Sequence, residues 1–215
     1  MREGVKSPRK YSSPLRVDQA AATRSQVLVA ARDLFTGKGY AATTVTEIAR
    51  AAGVSVDTLY ATVGRKPVIL REVVEAAISG TGRTVPADER DYVIAQRAAA
   101  GAVTKITIYA DAVAAMSPRT APVFVALRDA AQTDPDCAAL YAEISTRRAM
   151  NMRRFAADLR ATGELRGGLT DEFIGDVVWA TAGFEHFTQL NGGRGWSAAQ
   201  FGEYLRETWT RLFLG

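Results

Sequence analysis

The chain has 215 residues, of which 47% are hydrophobic and 23% are charged, and this balance supports a globular core in one large or two smaller domains. No apolar run reaches the ~20 residues of a membrane-spanning helix, and the basic N-terminus lacks the apolar run of a secretory signal. The single cysteine, Cys137, excludes an internal disulfide. We therefore expect a cytoplasmic protein with no membrane partner.

Charge is divided unevenly along the chain. Residues 1–71 contain twelve Lys and Arg against five Asp and Glu, a net charge of +7, whereas residues 72–215 carry a net charge of −3. A basic segment joined to a mildly acidic one favours a polyanion partner for the first segment only. An ordinary solvated basic surface would have the same composition, so both interpretations stay open.

Helical spacing and turn signals predict a flexible basic arm over residues 1–22, followed by a first domain over residues 23–78 that consists of a three-helix unit and a following fourth helix. The first helix is expected to begin near Thr23 and to end at Gly37 and Gly39.

Three later helix starts in this domain have recognisable signals. Thr44 and Glu47 match a capping box, Ser55 can cap a short third helix, and Pro67 lies in the first turn of a fourth. Between the second and third helices, Gly53 allows a tight turn. A short helix, a sharp turn and another short helix together predict a helix-turn-helix.

A linker is predicted over residues 79–90, and residues 91–215 are expected to form a larger domain. No segment alternates in the strand pattern for long, so the predicted fold class is all-α, with about nine helices. The helices of the larger domain are expected at about residues 91–115, 120–132, 135–159, 170–191 and 197–213.

The second short helix of the helix-turn-helix would present its outer side chains to the major groove of DNA. Ser and Thr contact base edges or phosphates, Val packs on a thymine methyl, and Asp accepts from a cytosine amine. Asp57 can equally be a charge that favours the helix start, Thr44 a cap alone, and Tyr60 a core aromatic. The candidate DNA-contacting residues are Thr44, Val45, Ser55, Val56, Asp57, Thr58, Tyr60, Arg65 and Lys66.

About fifty residues around this motif follow one ordered pattern: TRSQVLVAARDLF at 23–35, Gly39-Tyr40, TTVTEIARAAGVS at 43–55, Thr58-Leu59-Tyr60 and Lys66. In this order they resemble the tetracycline-repressor (TetR) family of transcriptional regulators. The segments GELRGGLT at 163–170 and Gly195-Trp196-Ser197 look like those of TetR subgroups. The chain departs from the family pattern at Val63, where an aromatic is usual, and at Arg65-Lys66-Pro67, where Ser-Lys-Glu is usual.

The resemblance implies an all-α homodimer in which each subunit presents one helix-turn-helix to a half-site of a palindromic double-stranded DNA operator. The larger domain would hold an unknown small-molecule effector, whose binding changes the spacing of the two DNA-binding heads and releases the DNA. The alternatives are a DNA-binding dimer without a ligand and, with less support, a helical small-molecule-binding enzyme. We find no metal-ligand spacing, nucleophile elbow or phosphate loop, so no catalytic residue, metal or cofactor is predicted.

Two helices near the C-terminus carry more apolar surface than one packed face needs. By the resemblance, the helices at 170–191 and 197–213 from two subunits would form a four-helix interface, although the same stripes can pack within one subunit. The candidate interface residues are Phe173, Val177, Ala180, Phe184, Phe187, Phe201, Leu205, Trp209 and Leu212.

Apolar side chains on the central helices can line a ligand pocket or simply build the core. Arg148 could be the counter-ion of an acidic ligand or could extend to water. His186 could bind a ligand and Cys137 could sense oxidants, although a structural role fits both residues. The candidate ligand-binding residues are Ile106, Tyr109, Val113, Met116, Phe124, Arg148, Met152, Phe155 and Trp179.

Overall fold

The computed structural model describes residues 14–81 and 85–215 of the chain. Its fold class is all-α, as predicted, and these residues form ten α-helices, one 3₁₀ helix and a single antiparallel bridge between Leu165 and Leu214. None of the described helices is both long and apolar enough to cross a membrane. The helices are α1 (Pro14–Lys38), α2 (Val45–Ala51), α3 (Val56–Thr62), α4 (Lys66–Ser79), α5 (Asp91–Ala98), α6 (Ala102–Ala130), α7 (Pro135–Arg160), α8 (Asp171–Thr181), α9 (Phe184–Arg194) and α10 (Ala198–Phe213).

The first four helices pack on one another through fully buried side chains that include Val27, Ile48 and Leu59. Helix α1 begins at Pro14, well before the expected start near Thr23, so the second part of the expected arm is helical. Residues 1–13 of that arm lie outside the described residues.

The segment expected to be a linker starts where α4 ends. Gly80 takes a φ of +72°, a conformation that costs glycine little and that ends the helix. Residues 82–84 lie outside the described residues, and Ala87–Glu89 form the 3₁₀ helix.

The larger domain contains a helix break that the sequence analysis placed wrongly. Helices were expected at 91–115 and 120–132, but α5 ends at Ala98 and α6 then continues without interruption to Ala130. The ammonium of the buried Lys105 donates to the carbonyls of Gln96 and Arg97, each at 3.0 Å, and so satisfies the end of α5. The Glu164 carboxylate accepts from the Ala102 amide at 3.1 Å and caps the start of α6.

Helix α6 runs through Pro118 and Pro122, although proline removes a helical hydrogen bond and normally ends a helix. Hydroxyls in this stretch donate to other carbonyls of the helix, Ser117 to Val113 at 2.7 Å and Thr120 to Met116 at 3.0 Å. They do not donate to the carbonyls of Ala114 and Pro118, which the two prolines leave without an amide partner. Packing on both sides also holds α6 together, because it lies against α4 and α5 as well as against α7, α9 and α10.

The expected helix over 170–191 is two helices. Helix α8 ends at Thr181, whose hydroxyl accepts from the Trp209 indole at 2.8 Å, and α9 starts after Gly183. A Cβ at Gly183 would lie 3.1 Å from the Ala180 carbonyl, so the corner favours glycine. The last helix matches its expected bounds within one residue, with a capping box at Ser197.

Candidate functional site

The start of α2 is held by the expected capping box. The Glu47 amide donates to the Thr44 hydroxyl at 3.2 Å, and the Thr44 amide donates to the Glu47 carboxylate at 2.8 Å. Hydrogen bonds from the Lys38 ammonium and then from Thr44 lower the pKa of Glu47 to about 2. The Thr44 hydroxyl also donates to this carboxylate at 2.9 Å. Both hydrogen bonds of this hydroxyl are therefore made with Glu47, as the helix cap requires. Val45, the next residue, is half-buried against the core.

The recognition helix α3 has one buried side and one exposed side. Leu59 is fully buried, whereas Ser55, Asp57, Thr58 and Tyr60 are exposed, Tyr60 by 49%. The Ser55 hydroxyl accepts from the Thr58 amide at 3.0 Å and lies 2.8 Å from the Thr58 hydroxyl. Between the helices, Gly53 has a φ of +70°, as the tight turn requires.

Val56, the remaining candidate on α3, is half-buried and packs against the core of the domain.

The start of α4 differs from the pattern expected of a phosphate site. Arg65 is exposed but lies 3.5 Å from Asp136, and no side chain caps the helix at this position. The Lys66 ammonium lies 4.0 Å from the centroid of the Tyr40 ring, and burial lowers the pKa of Lys66. Tyr40 in turn donates to Asp134 at 2.9 Å, so this cluster joins the first domain to the start of α7.

A cavity of about 120 Å³ lies in the larger domain, between the end of α4, the 3₁₀ helix, α5, α6, α7 and the corner between α8 and α9. Aromatic rings form much of its wall: Tyr109 stacks on Phe155 at 4.5 Å, and Phe124 stacks on Phe184 at 5.5 Å. Seven of the nine candidate ligand-binding residues line it, namely Tyr109, Val113, Met116, Phe124, Arg148, Met152 and Phe155.

Two of the nine candidates lie elsewhere. Ile106 is fully buried in the core, and Trp179 lies on the outer side of Arg148, 37% exposed, with its ring 5.6 Å from the guanidinium. The sequence analysis also missed the charged rim of the cavity, where Arg97 pairs with Asp88 at 2.8 Å. No local signal marks these residues, because the contact between Asp88 and Arg97 depends on how the 3₁₀ helix folds back along α5.

Helix α4 is tied to α7 by two ion pairs that join residues 72 positions apart. Arg147, which lines the cavity, lies 2.5 Å from the buried carboxylate of Glu75. Arg71 makes two hydrogen bonds to the Glu143 carboxylate, at 2.7 and 2.9 Å, on the exposed side. Arg119 on α6 donates to the Ala77 carbonyl at 2.9 Å. The cavity wall and the first domain are therefore in direct contact.

Most residues expected at a dimer interface face the core of their own protomer. The side chains buried in this way are those of Phe184, Phe187, Phe201, Leu205 and Trp209. These side chains pack within one chain, where Trp209 contacts Tyr109 and Phe201 contacts Phe187. The surface side of α8 instead carries Phe173, 45% exposed, with Ala180 exposed and Val177 half-buried. Leu212 on α10 is also half-buried.

His186 and Cys137 both have structural partners. His186 lies 3.2 Å from the Tyr204 hydroxyl and stacks on that ring. Cys137 is fully buried, and burial raises the pKa of its thiol. No group of three or more His, Cys, Asp or Glu suited to a metal ion occurs in residues 14–81 and 85–215.

A capped supporting helix, a glycine turn and an exposed recognition helix define a helix-turn-helix DNA-binding protein. Residues 27–77 match the family described as "Bacterial regulatory proteins, tetR family". The helix-turn-helix therefore lies within the segment that matches this family of regulatory proteins, and the match also covers parts of α1 and α4. No curated protein sequence matches the chain.

Solved structures of similar fold cover both domains. A putative TetR-family transcriptional regulator from Rhodococcus sp. is 15% identical, over 91% of this chain and 100% of that one, with a TM-score of 0.66. The regulator FadR from Bacillus subtilis, solved in complex with stearoyl-CoA, is 18% identical over 86% and 96%, with a TM-score of 0.69. A putative transcriptional regulator from Saccharomonospora viridis, solved with choline, is 17% identical over 89% and 97%, with a TM-score of 0.67.

Proposed function

We propose that the protein is a homodimeric repressor that a small molecule releases from a palindromic operator. The observation that carries this proposal is the position of Arg147. Its side chain lines the cavity and pairs with Glu75 on α4, the helix that follows the recognition helix. A ligand that displaces Arg147 would thereby change the position of α4 and of the recognition helix packed beside it.

The DNA contact would be made by the exposed side of α3. Ser55, Thr58 and Tyr60 offer hydroxyls to bases and phosphates, and Asp57 and Val56 lie beside them. Arg65 adds an exposed positive charge next to this helix. We assign base reading to the start of α3 and phosphate contacts to Tyr60 and Arg65.

A dimer interface on α8 is consistent with its exposed apolar side chains. Phe173, Val177 and Ala180 recur at helical spacing on one surface stripe, and large exposed apolar patches mark interaction sites. A twofold dimer would present two recognition helices to half-sites about one DNA turn, ~34–36 Å, apart.

The larger domain would be the sensor. Two regulators of similar fold were solved with choline and with stearoyl-CoA. The cavity combines aromatic and aliphatic walls with several charged and polar side chains that could orient a ligand.

Binding to the DNA upstream of the protein's own gene tests this proposal. We expect a retarded complex at low salt whose affinity falls steeply as the salt concentration rises, because phosphate contacts release counterions. A scrambled sequence of equal length is the control for specificity. Equal affinity for both DNAs, or no retardation at any salt concentration, would reject the operator-binding proposal.

A ligand-free DNA-binding dimer is the second candidate, and one observation favours it. The cavity of about 120 Å³ is smaller than the roughly 300–1,000 Å³ of most ligand pockets. A thermal-shift screen of small molecules separates the two, because a ligand of the folded state raises the melting temperature in proportion to its affinity. Release of operator DNA by a stabilising compound would support the sensor, whereas a screen in which no compound raises the melting temperature would support the second candidate.

A further inference from the structure

The arginines of the cavity wall differ in how their charges are compensated. Arg97 pairs with Asp88, and Arg147 pairs with Glu75. Arg148 forms no ion pair with a carboxylate in the described part of the chain. Its guanidinium donates to two backbone carbonyls at the end of α8, those of Trp179 at 3.2 Å and Ala182 at 3.4 Å.

The surroundings of Arg148 leave much of its charge uncompensated. Burial lowers the pKa of this half-buried arginine. The charge of Glu185 acts on Arg148, but Glu185 is exposed and accepts a hydrogen bond from Tyr141 at 3.2 Å. An enclosed guanidinium is stabilised most by an anion that can accept two parallel hydrogen bonds.

The rest of the cavity suits an apolar body. The rings of Tyr109, Phe124 and Phe155 and the side chain of Met116 lie along the wall that also carries Arg148. The volume of about 120 Å³ is close to the ~150 Å³ of an apolar protein cavity that holds benzene. An apolar body of about one six-membered ring or six carbons is therefore the upper limit for this cavity.

We propose that the effector is a small monocarboxylate with an apolar body of about six carbons, whose carboxylate binds Arg148. This inference rests on the proposed sensor function and names its ligand class. The second arginine without a carboxylate partner on this wall, Arg90, is held by the Val85 carbonyl at 3.2 Å and is the competing anchor. A cationic ligand is disfavoured because Arg148 would repel it.

The test uses benzoate and hexanoate as probes, with benzamide and benzylammonium as uncharged and cationic counterparts of benzoate. Binding is measured by calorimetry and by thermal shift on the intact protein. We expect both carboxylates to bind, and benzamide and benzylammonium to bind about ten to a hundred times more weakly, because each lacks the charge-assisted hydrogen bonds.

Variants then assign the anchor. Arg148→Met should lose about the same factor for benzoate and change benzamide little, while Arg148→Lys keeps part of the affinity. Arg211→Met, at an exposed ion pair on α10, should bind benzoate as the wild type does, and Arg90→Met, on the cavity wall, should lose less affinity than Arg148→Met. Circular dichroism confirms that each variant is folded.

Three results would overturn the inference: no binding of either carboxylate, equal binding of benzoate and benzamide, or loss of benzoate binding in Arg90→Met with Arg148→Met unchanged. The proposed function fails separately, because operator retardation is measured without any ligand. A protein that binds its operator and is released only by a neutral or cationic compound would contradict the inference while keeping the repressor proposal.

Discussion

The ion pair between Glu75 and Arg147 allows a quantitative prediction. Removing one partner of a fully buried pair costs about 3–5 kcal/mol, and removing an exposed pair costs about 0–1 kcal/mol. The Glu75 side chain is 8% exposed and that of Arg147 is 37% exposed, so this pair is intermediate. We expect Arg147→Met to lower the free energy of unfolding by about 2 kcal/mol, since Arg71 on the same helix still places positive charge near Glu75.

Two measurements check this value. Urea unfolding gives the free energy directly, and the melting temperature of a chain of this size should fall by about 4–8 °C. A double-mutant cycle with Glu75→Gln isolates the pair itself, because the single changes also remove other contacts.

The same variant reports on the coupling between the two domains. Operator affinity without ligand should fall, because the variant breaks the contact with α4 that a ligand would break. The ratio of affinities with and without ligand should therefore move towards one. The exposed pair Arg71 and Glu143 is the matched control, since it also joins α4 to α7 but does not line the cavity. Glu143→Gln should cost at most about 1 kcal/mol and leave release intact. An unchanged affinity ratio in Arg147→Met would refute the coupling role.

Three further predictions concern the DNA-binding domain and the dimer. Glu47→Gln should destabilise the protein at neutral pH, and the difference should disappear as the pH falls from about 4.5 to about 2 in acid titrations, because the folded state lowers the pKa of this carboxyl and its contribution is lost as it protonates. A difference that stays constant down to pH ~2 would contradict the capping and Lys38 contacts as its cause. Tyr60→Ala should weaken all DNA complexes about tenfold in anisotropy titrations, with Tyr60→Phe showing how much the hydroxyl contributes; unchanged affinity in both would exclude a phosphate contact. Phe173→Asp should shift the protein from dimer to monomer in sedimentation experiments, and a dimer that persists would place the interface elsewhere.

Several features of this protein follow from its sequence because their causes lie within four residues. The capping box of Thr44 and Glu47, the glycine turn at Gly53 and the cap at Ser55 all appear where they were expected. Such signals act through the backbone of a single turn, so no knowledge of the tertiary fold is needed. The all-α class and the helix-turn-helix follow from them.

Helix breaks and packing faces in the larger domain were decided by contacts between distant residues. The end of α5 depends on Lys105 and the start of α6 depends on Glu164, which lies 62 positions away from Ala102. Apolar stripes show that a helix is buried but do not identify what buries it. For this reason the sequence favoured a contact of Phe201 and Trp209 with a second subunit, whereas both side chains are buried within the chain itself.

In the candidate site, two adjacent residues show the difference between what local sequence determines and what tertiary contacts determine. Arg147 and Arg148 are chemically identical in the sequence, and only Arg148 was selected, from its place on an apolar stripe. In the folded chain Arg147 meets a buried carboxylate of α4, while Arg148 meets carbonyls and an aromatic ring. Local sequence determines that both side chains project from α7. Their hydrogen-bond partners lie 72 positions away for Arg147 and 31 positions away for Arg148, and only tertiary packing brings each arginine to its partner.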